Sequence, residues 1–450
     1  MKRLFGTDGV RGKAGTYPLD HETVARLGAA LVRAMRGDAR PLRFLIGRDT
    51  RESGDWIERE LGRGVHAEGA SITTAGVIPT PATAYITRAL GFDAGLVISA
   101  SHNPFEDNGI KVFSGRGEKF TDALEQHVES IIADPSWQVP AGGLPAVERT
   151  DVVDAYIAHT ALALPDPGRL TGRDPHGFRL ALDTANGATT TVAPRLFRGL
   201  GFDLTVIGDQ PDGRNINLDC GSTHPERLSA LVREGGHRMG VAFDGDGDRA
   251  IFVDHEGRVV DGDAVMLMCA RNMKARRRLN GNALVATVMS NIGLEIALRD
   301  SGIELVRCPV GDKYVMEEMI KRDISLGGEQ SGHLIFSDHL FTGDGIATAL
   351  NVLRTMADTG RELADLASEL VAYPQVLLNV RVRERTALAS VPALVEVMDR
   401  IARRLDGQGR LLVRYSGTEP LLRIMIEGQD QREIQGWAVE IADSVKEHLG

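Results

Sequence analysis

Runs of apolar, mostly β-branched residues alternate with stretches of helical period along the chain, a pattern typical of layered α/β domains. Three times, a predicted strand ends in a polar loop, a helical stretch follows, and a second predicted strand ends in a second polar loop. The first strands cover residues 42–46, 178–182 and 283–288, and the second strands cover residues 94–98, 240–243 and 324–326. We therefore predict three similar α/β units with polar side chains at the carboxyl ends of strands, where open α/β sheets bind ligands.

The pattern changes after Tyr373-Pro374. A strand at 377–382, a helix at 391–405, two strands at 411–414 and 421–426, and a final helix with one apolar face predict a small two-layer α+β domain. A segment rich in proline, glycine and alanine, Pro135 to Pro145, is typical of a linker. The predicted domains are residues 1–140 with a serine loop, 150–254 with an acidic loop, 255–370 with a glycine-rich turn, and 374–450.

Composition and missing motifs argue against several classes of function. The 450 residues carry a net charge of −10, which argues against binding to nucleic acid or to an anionic membrane. The three cysteines are scattered without a CxxC pair, and the amino terminus shows no apolar signal core, so we expect a cytoplasmic protein. No GxxxxGK[ST], HExxH or well-placed GxGxxG motif is present, which disfavours nucleotide-dependent kinases, zinc proteases and dehydrogenases.

Three carboxylates recur at alternate positions in the loop Asp244-Gly245-Asp246-Gly247-Asp248-Arg249. Carboxylates this close repel one another unless a cation lies between them, and Mg²⁺ prefers such oxygen ligands. An EF-hand also begins D-x-D-x-D, but here its sixth position is Arg249 and its twelfth is His255. The alternative is a solvated acidic turn, which the flanking predicted core strands disfavour.

The loop Ser99-Ala100-Ser101-His102-Asn103-Pro104 offers a hydroxyl in a sharp polar turn. Ser101 is a candidate nucleophile or phosphorylation site beside the acidic loop, and a helix N-cap is the alternative. His102 is either a base or, as we favour, a hydrogen-bonding loop residue. Lys111 follows on an apolar strand, where it is either a solvated strand residue or a group that stabilises charge or transfers a proton.

Two further turns carry ligand-binding chemistry. The turn from Gly328 to His333 offers Glu329 and Ser331 for sugar hydroxyls, or it simply closes a strand. His333 is a side chain able to move protons. The turn from Arg414 to Pro420, with Arg423 on the next strand, groups hydroxyls, glycine N–H groups and arginines suited to a phosphate. The alternative is a hairpin with incidental arginines.

The whole chain resembles the α-D-phosphohexomutases. The resemblance rests on segments spread from one end of the chain to the other: Phe5–Gly12, Ile98–Pro104, Asp107–Lys111, Pro211–Gly213, Gly221–Glu226, Asp244–Arg249, Gly311–Tyr314, Gly328–His333 and Arg414–Pro420. The segments FGTDGVRG, GSTHPE and GGEQSGH favour the glucosamine branch over the phosphomannomutase/phosphoglucomutase branch. The fold it implies is four domains around a central cleft, three sharing a mixed-sheet α/β sandwich.

The resemblance also implies residue roles. Ser101 would be the phosphoserine and would join the three aspartates in binding one Mg²⁺ per subunit. Four residues would line the reacting centre: Arg11, Lys111, Arg249 and His333. Eight others would hold the substrate: Lys313, Glu329, Ser331, Arg414, Ser416, Gly417, Thr418 and Arg423. Lys313 stands where some relatives have arginine.

The activity implied is interconversion of glucosamine 6-phosphate and glucosamine 1-phosphate, for UDP-N-acetylglucosamine and cell-wall precursor synthesis. A sugar 1,6-bisphosphate would be the intermediate and the activator, a sugar phosphate would be the only partner, and a homodimer is compatible with the resemblance. The alternatives are a phosphomannomutase/phosphoglucomutase, a metal-dependent phosphatase, and a non-catalytic sugar-phosphate sensor.

Overall fold

The computed structural model describes residues 4–6, 8–37, 40–141, 148–172, 177–416 and 420–450. The chain divides into two compact units. Unit 1 is Met1–Met289 with Ile303–Ser368, and unit 2 is Ser290–Gly302 with Glu369–Gly450. Among the described residues, every helix is too short or too polar to cross a bilayer.

The first domain of unit 1 is a seven-stranded sheet in the order β1-β2-β6-β5-β3-β4-β7. Its elements are β1 (Phe5–Gly6), β2 (Gly9–Lys13), α1 (His21–Met35), β3 (Arg43–Arg48), α2 (Gly54–Ala67), β4 (Ser71–Val77), α3 (Thr80–Ala89), β5 (Ala94–Ile98), β6 (Asp107–Ser114), α4 (Asp122–Ala133) and β7 (Glu148–Arg149). The Asp20 carboxylate caps the amino terminus of α1 by accepting a hydrogen bond from the Thr23 N–H at 2.9 Å. Residues 148–149 pair with β4, so this sheet includes residues beyond position 140.

The second domain has the sheet order β12-β11-β10-β8-β9. Its elements are α5 (Val153–Ala161), α6 (Gly168–Thr171), β8 (Arg179–Asp183), α7 (Ala193–Gly199), β9 (Asp203–Ile207), α8 (Glu226–Gly235), β10 (Met239–Phe243), β11 (Ala250–Asp254) and β12 (Val259–Val260). Strands β10 and β11 are entirely buried and flank the acidic loop, as the apolar pattern predicts.

The third domain has the sheet order β14-β13-β15-β16. The elements from 262 to 367 are α9 (Gly262–Ala275), β13 (Ala283–Thr287), α10 (Ile292–Asp300), β14 (Glu304–Cys308), α11 (Asp312–Arg322), β15 (Leu326–Gly328), β16 (Leu334–Phe336), α12 (Gly345–Thr359) and α13 (Leu363–Ala367); α10 belongs to unit 2. Strand β15 begins two residues later than predicted. Its two glycines have low strand propensity, but both pair with β13 and β16.

The three sheets share one arrangement, which confirms the predicted repeat. Within each sheet, four strands lie in the order β4-β3-β5-β6, β9-β8-β10-β11 or β14-β13-β15-β16. In each set the first three strands are parallel and the fourth is antiparallel. The mixed-sheet α/β fold class is therefore confirmed.

Unit 2 contains the predicted α+β domain. Its sheet has the order β17-β19-β18 and is antiparallel throughout. Its elements after α10 are β17 (Gln375–Arg381), α14 (Pro392–Leu405), β18 (Arg410–Tyr415), β19 (Leu421–Glu427) and α15 (Gln431–Leu449). The apolar face of α15, which includes Ile434, Ile441 and Val445, is buried in the core as expected.

The three α/β domains meet at the acidic loop. The N–H of Thr80 in the first domain donates to the carbonyl of Asp246 at 2.8 Å. The N–H of Gly345 in the third domain donates to the carbonyl of Gly247 at 3.0 Å. Backbone bonds thus fix this loop from both sides, so the three sheets form one unit around it.

Candidate active site

Ser101 lies in the loop between β5 and β6. Turns rather than a helix follow it, which excludes the N-cap interpretation. Its φ of 53° lies in the left-handed region, which disfavours residues with a side chain. Its side chain is buried beneath the acidic loop of the second domain. The serine therefore takes a constrained conformation beside the carboxylates.

The hydroxyl of Ser101 donates to Asp244 Oδ2 at 2.5 Å. Burial and the neighbouring carboxylates of Asp248 and Asp246 raise the pKa of Asp244 well above its ordinary value. His102 Nδ1 lies 3.3 Å from the same hydroxyl. Burial and the nearby Arg249 and Arg11 lower the pKa of His102 to about 4, so its ring is neutral at physiological pH.

Asp244, Asp246 and Asp248 are buried, and each offers a carboxylate oxygen within 4.8 Å of the others. Asp246 Oδ1 and Asp248 Oδ1 are buried without a hydrogen-bond donor. Orphaned buried carboxylate oxygens are costly, and a divalent cation satisfies them. The donor set therefore fits a metal that prefers oxygen ligands, as the alternating aspartates predict.

Lys111 lies beneath this cluster rather than in solvent. Its Nζ is 2.8 Å from Asp246 Oδ2, 3.0 Å from Asp248 Oδ2 and 3.1 Å from Asp8 Oδ2. Burial acts to lower the pKa of Lys111, but these carboxylates outweigh it and hold that pKa well above its ordinary value. Lys111 is therefore a fixed cation, and the solvated-strand interpretation is excluded.

The structure brings Arg11, Arg249 and His333 to the same cluster. Arg11 pairs with Asp8, and Arg249 Nε lies 3.8 Å from Asp248 Oδ1. The Nε atoms of both arginines are buried without a hydrogen-bond acceptor. His333 Nδ1 lies 3.6 Å from Asp248 Oδ1, and its Nε2 accepts from the Gly343 N–H at 3.1 Å.

The glycine-rich turn between β15 and β16 joins the site through its backbone. Its Gly332 carbonyl accepts from the Ala250 N–H, just after the acidic loop, at 3.1 Å. Ser331 is exposed at the tip of the turn, whereas Glu329 is half-buried and accepts from the Gly311 N–H at 3.2 Å. These positions suit hydrogen bonding to a ligand.

Lys313 does not reach this turn. Its Nζ lies between Asp122 Oδ1 at 2.8 Å and Glu125 Oε2 at 3.0 Å, both on α4 of the first domain. Lys313 is 5% exposed. Because it belongs to the third domain and its two partners lie on α4, its ammonium links the first and third domains. Its predicted substrate role stays a prediction.

The predicted phosphate-binding residues lie in unit 2. Arg414 on β18 is paired directly with Arg423 on β19, which places both side chains on one face of the sheet. Arg423 Nη2 donates to the buried Ser416 Oγ at 3.4 Å. Gly417 and Thr418 lie outside the described residues. Two adjacent arginines and a hydroxyl are suited to a phosphate.

Sequence reasoning missed Asp8 and Lys119. Asp8 accepts from Lys111 and from Lys119 Nζ, the latter at 2.5 Å, and Lys119 also pairs with Asp312 of the third domain. Asp8 and Asp312 stand within the Phe5–Gly12 and Gly311–Tyr314 segments, which signal function. Lys119 stands outside every such segment, so no local signal identifies it.

Four sequence profiles match the chain in order. Their descriptions are phosphoglucomutase/phosphomannomutase alpha/beta/alpha domain I at residues 2–138, domain II at 154–257, domain III at 261–373, and C-terminal domain at 377–444. They account for four domains along the chain.

Two curated relatives match over the full chain. The chain is 46% identical to the phosphoglucosamine mutase of Geotalea daltonii, covering 100% of this chain and 99% of that protein. It is also 46% identical to the phosphoglucosamine mutase of Syntrophotalea carbinolica, covering 100% of this chain and 98% of that protein.

Solved structures with the same fold are more distant in sequence. A phosphoglucomutase/phosphomannomutase family protein from Burkholderia thailandensis has a TM-score of 0.81 at 24% identity, covering 100% of this chain and 99% of that one. The N-acetylphosphoglucosamine mutase of Aspergillus fumigatus, solved with GlcNAc-6P and magnesium, has a TM-score of 0.67 at 18% identity. The match covers 99% of this chain and 95% of that one.

Proposed function

Because the chain belongs to the phosphoglucomutase/phosphomannomutase family, we propose that it interconverts glucosamine 6-phosphate and glucosamine 1-phosphate. The observation that carries this proposal is the hydroxyl of Ser101, buried and 2.5 Å from Asp244 within a cluster of three aspartates. The 46% identity with phosphoglucosamine mutases over the full chain supports the choice of the glucosamine sugar.

In the proposed reaction, a phosphoryl group carried by Ser101 passes to the C1 hydroxyl of glucosamine 6-phosphate. The resulting 1,6-bisphosphate reorients within the site, and its C6 phosphoryl group is then transferred to Ser101. Glucosamine 1-phosphate is then released. The same bisphosphate, or glucose 1,6-bisphosphate, would load Ser101 at the start.

The residues around Ser101 are suited to phosphoryl transfer, which depends mostly on alignment and on neutralising negative charge. Lys111 is held against Asp246 and Asp248 at 2.8 and 3.0 Å, and Arg249 and Arg11 each have a buried Nε without a hydrogen-bond acceptor. His333, whose Nδ1 lies 3.6 Å from Asp248 Oδ1, would take up or release the sugar hydroxyl proton. These four residues would serve either direction of transfer.

Asp244, Asp246 and Asp248, together with the phosphoserine, would hold one Mg²⁺. When bound, Mg²⁺ supplies positive charge to the transferring phosphoryl oxygens. The orphaned oxygens of Asp246 and Asp248 support this assignment.

The substrate would be held at two places. Glu329 and Ser331 would contact the sugar, and Arg414, Ser416, Gly417, Thr418 and Arg423 would bind the phosphate that is not reacting. The resemblance also assigns Lys313 to the substrate, although its ammonium is already bound by Asp122 and Glu125. The proposed domains are residues 1–140, 150–254, 255–370 and 374–450, with residues 148–149 added to the first sheet and residues 259–260 to the second by their strand pairing. The protein would be a cytoplasmic enzyme of amino-sugar metabolism that supplies cell-wall precursors. A homodimer is compatible with this assignment.

The test is phosphorus NMR of the purified protein with Mg²⁺ and a trace of glucose 1,6-bisphosphate. Glucosamine 6-phosphate, glucose 6-phosphate and mannose 6-phosphate are compared in parallel. We expect the 1-phosphate resonance to grow fastest from the glucosamine sugar. Faster conversion of glucose or mannose phosphate would reassign the chain to a phosphoglucomutase or phosphomannomutase. Inorganic phosphate alone would indicate a phosphatase, and binding without conversion would indicate a sensor.

A further inference from the structure

Arg51 is a fully buried arginine that the proposed reaction does not use. It lies between β3 and α2 and is 1% exposed. Its Nη2 donates to the carbonyls of Ser101 at 3.0 Å and Asn103 at 2.8 Å, and its Nη1 donates to the carbonyl of Pro104. One guanidinium therefore binds three carbonyls of the serine loop.

A closed chain of hydrogen bonds fixes the peptide units on both sides of Ser101. The Ser101 N–H donates to Ser99 Oγ at 2.9 Å, and Ser99 Oγ donates to Asp49 Oδ2 at 2.6 Å. Arg51 Nε donates to the same Asp49 oxygen at 2.9 Å, and its Nη2 returns to the Ser101 carbonyl. This series of hydrogen bonds thus begins at the Ser101 N–H and ends at the Ser101 carbonyl.

Asn217 binds the same loop from the second domain. Its Nδ2 donates to the Ser101 carbonyl at 2.9 Å and to the Asn103 carbonyl at 3.2 Å. Asn217 is buried and has a φ of 58°, a conformation that asparagine tolerates better than most residues. The carbonyls of Ser101 and Asn103 are therefore shared by donors from two domains.

We infer that Arg51 and Asn217 are positioning residues that hold Ser101 in its left-handed conformation, with its hydroxyl directed at Asp244. Left-handed backbone at a serine persists only where its surroundings fix it, and these two side chains supply the donors that do so. Within the serine loop, both side chains bind backbone carbonyls, so they act on the reaction through Ser101. The inference rests on the proposed function where it concerns turnover.

The test uses Arg51→Lys, which keeps the positive charge but cannot form the planar set of bonds. Hydrogen exchange by mass spectrometry, without substrate, is measured first. We expect amides within residues 99–108 to exchange about tenfold faster or more in the variant, with the strands β3 and β8 unchanged. The matched control is Arg48→Lys, at the end of β3, whose guanidinium contacts Asp55 and Glu58 and not the loop.

Turnover of glucosamine 6-phosphate is measured on the same proteins. We expect kcat to fall about 10- to 100-fold, since a misplaced reacting group costs that much, and KM to change less than about threefold. Arg48→Lys should keep wild-type kcat. Unchanged exchange in the loop, or unchanged kcat, overturns the inference. Faster exchange throughout unit 1 also overturns it, because Arg51 would then serve the fold as a whole.

Asn217→Gly gives a second, independent test if Arg51→Lys does not fold. Glycine accepts the positive φ of this position, so the variant removes the carboxamide side chain without straining the backbone there. We expect the same loop-confined rise in exchange and a smaller fall in kcat; no change in either overturns the role of Asn217. Exchange requires no activity, so a wild-type protein that fails to convert glucosamine 6-phosphate would refute the proposed function and leave the loop measurement valid.

Discussion

Replacing Lys111 by methionine tests the balance of charge at the aspartate cluster. Methionine has a similar length and fills the same buried space, but it removes the cation that lies 2.8 Å from Asp246, 3.0 Å from Asp248 and 3.1 Å from Asp8. Removing one partner of a buried ion pair costs about 3–5 kcal/mol, because the remaining charge stays buried and uncompensated.

This loss translates into a measurable fall in melting temperature. Unfolding entropy is about 2.1 cal/mol/K per residue, so for a unit the size of unit 1 the expected fall in Tm is roughly 4–7 °C without metal. A divalent cation would partly replace the lost charge. We therefore expect added Mg²⁺ to raise the Tm of Lys111→Met more than that of the wild type.

Differential scanning calorimetry with a chelator and with Mg²⁺ measures both effects. The matched control is Lys313→Met. It also removes a buried lysine with two carboxylate partners, but those partners are Asp122 and Glu125 rather than members of the acidic loop. We expect Lys313→Met to lose stability equally with and without Mg²⁺. An unchanged Tm in Lys111→Met, or a loss that Mg²⁺ does not reduce, would refute the reasoning.

Three further substitutions test other parts of the site. Asp246→Asn keeps the shape of the side chain but removes its charge. The Mg²⁺ concentration for half-maximal activity should therefore rise about tenfold or more, which a Mg²⁺ titration of the rate measures. An unchanged Mg²⁺ requirement would exclude Asp246 as a ligand. Arg423→Gln should raise KM for glucosamine 6-phosphate about tenfold, with a smaller effect on kcat in steady-state kinetics; a change in kcat alone would argue against phosphate binding. Ser101→Ala should abolish turnover while circular dichroism stays native, and near-normal activity would disprove the role of its hydroxyl.

The sequence predicts the parts of the fold and site whose signals are local. Apolar strands that end in polar loops predict three similar sheets, and three aspartates at alternate positions predict the metal-binding character of their loop. The final helix is predictable because its apolar residues recur at helical spacing.

The sequence could not predict contacts with partners that are distant along the chain, even for residues that it marks as candidates. Lys111 has the spacing of a strand residue, and its burial depends on carboxylates supplied by the second domain. Lys313 is held by α4 of the first domain, which nothing near it in the chain reveals. Arg51 binds carbonyls about fifty residues away, and backbone acceptors leave no trace in the sequence.

Tracking a labelled phosphoryl group on Ser101 tests the central claim most directly. The protein is loaded from glucose 1,6-bisphosphate carrying radioactive phosphorus, freed of excess sugar, and mixed with unlabelled glucosamine 6-phosphate and Mg²⁺ for a single turnover. We predict that the label starts on the peptide containing Ser101 and moves into the glucosamine phosphates. Label that appears as inorganic phosphate, or that remains on the protein while glucosamine 1-phosphate forms, would contradict transfer through Ser101.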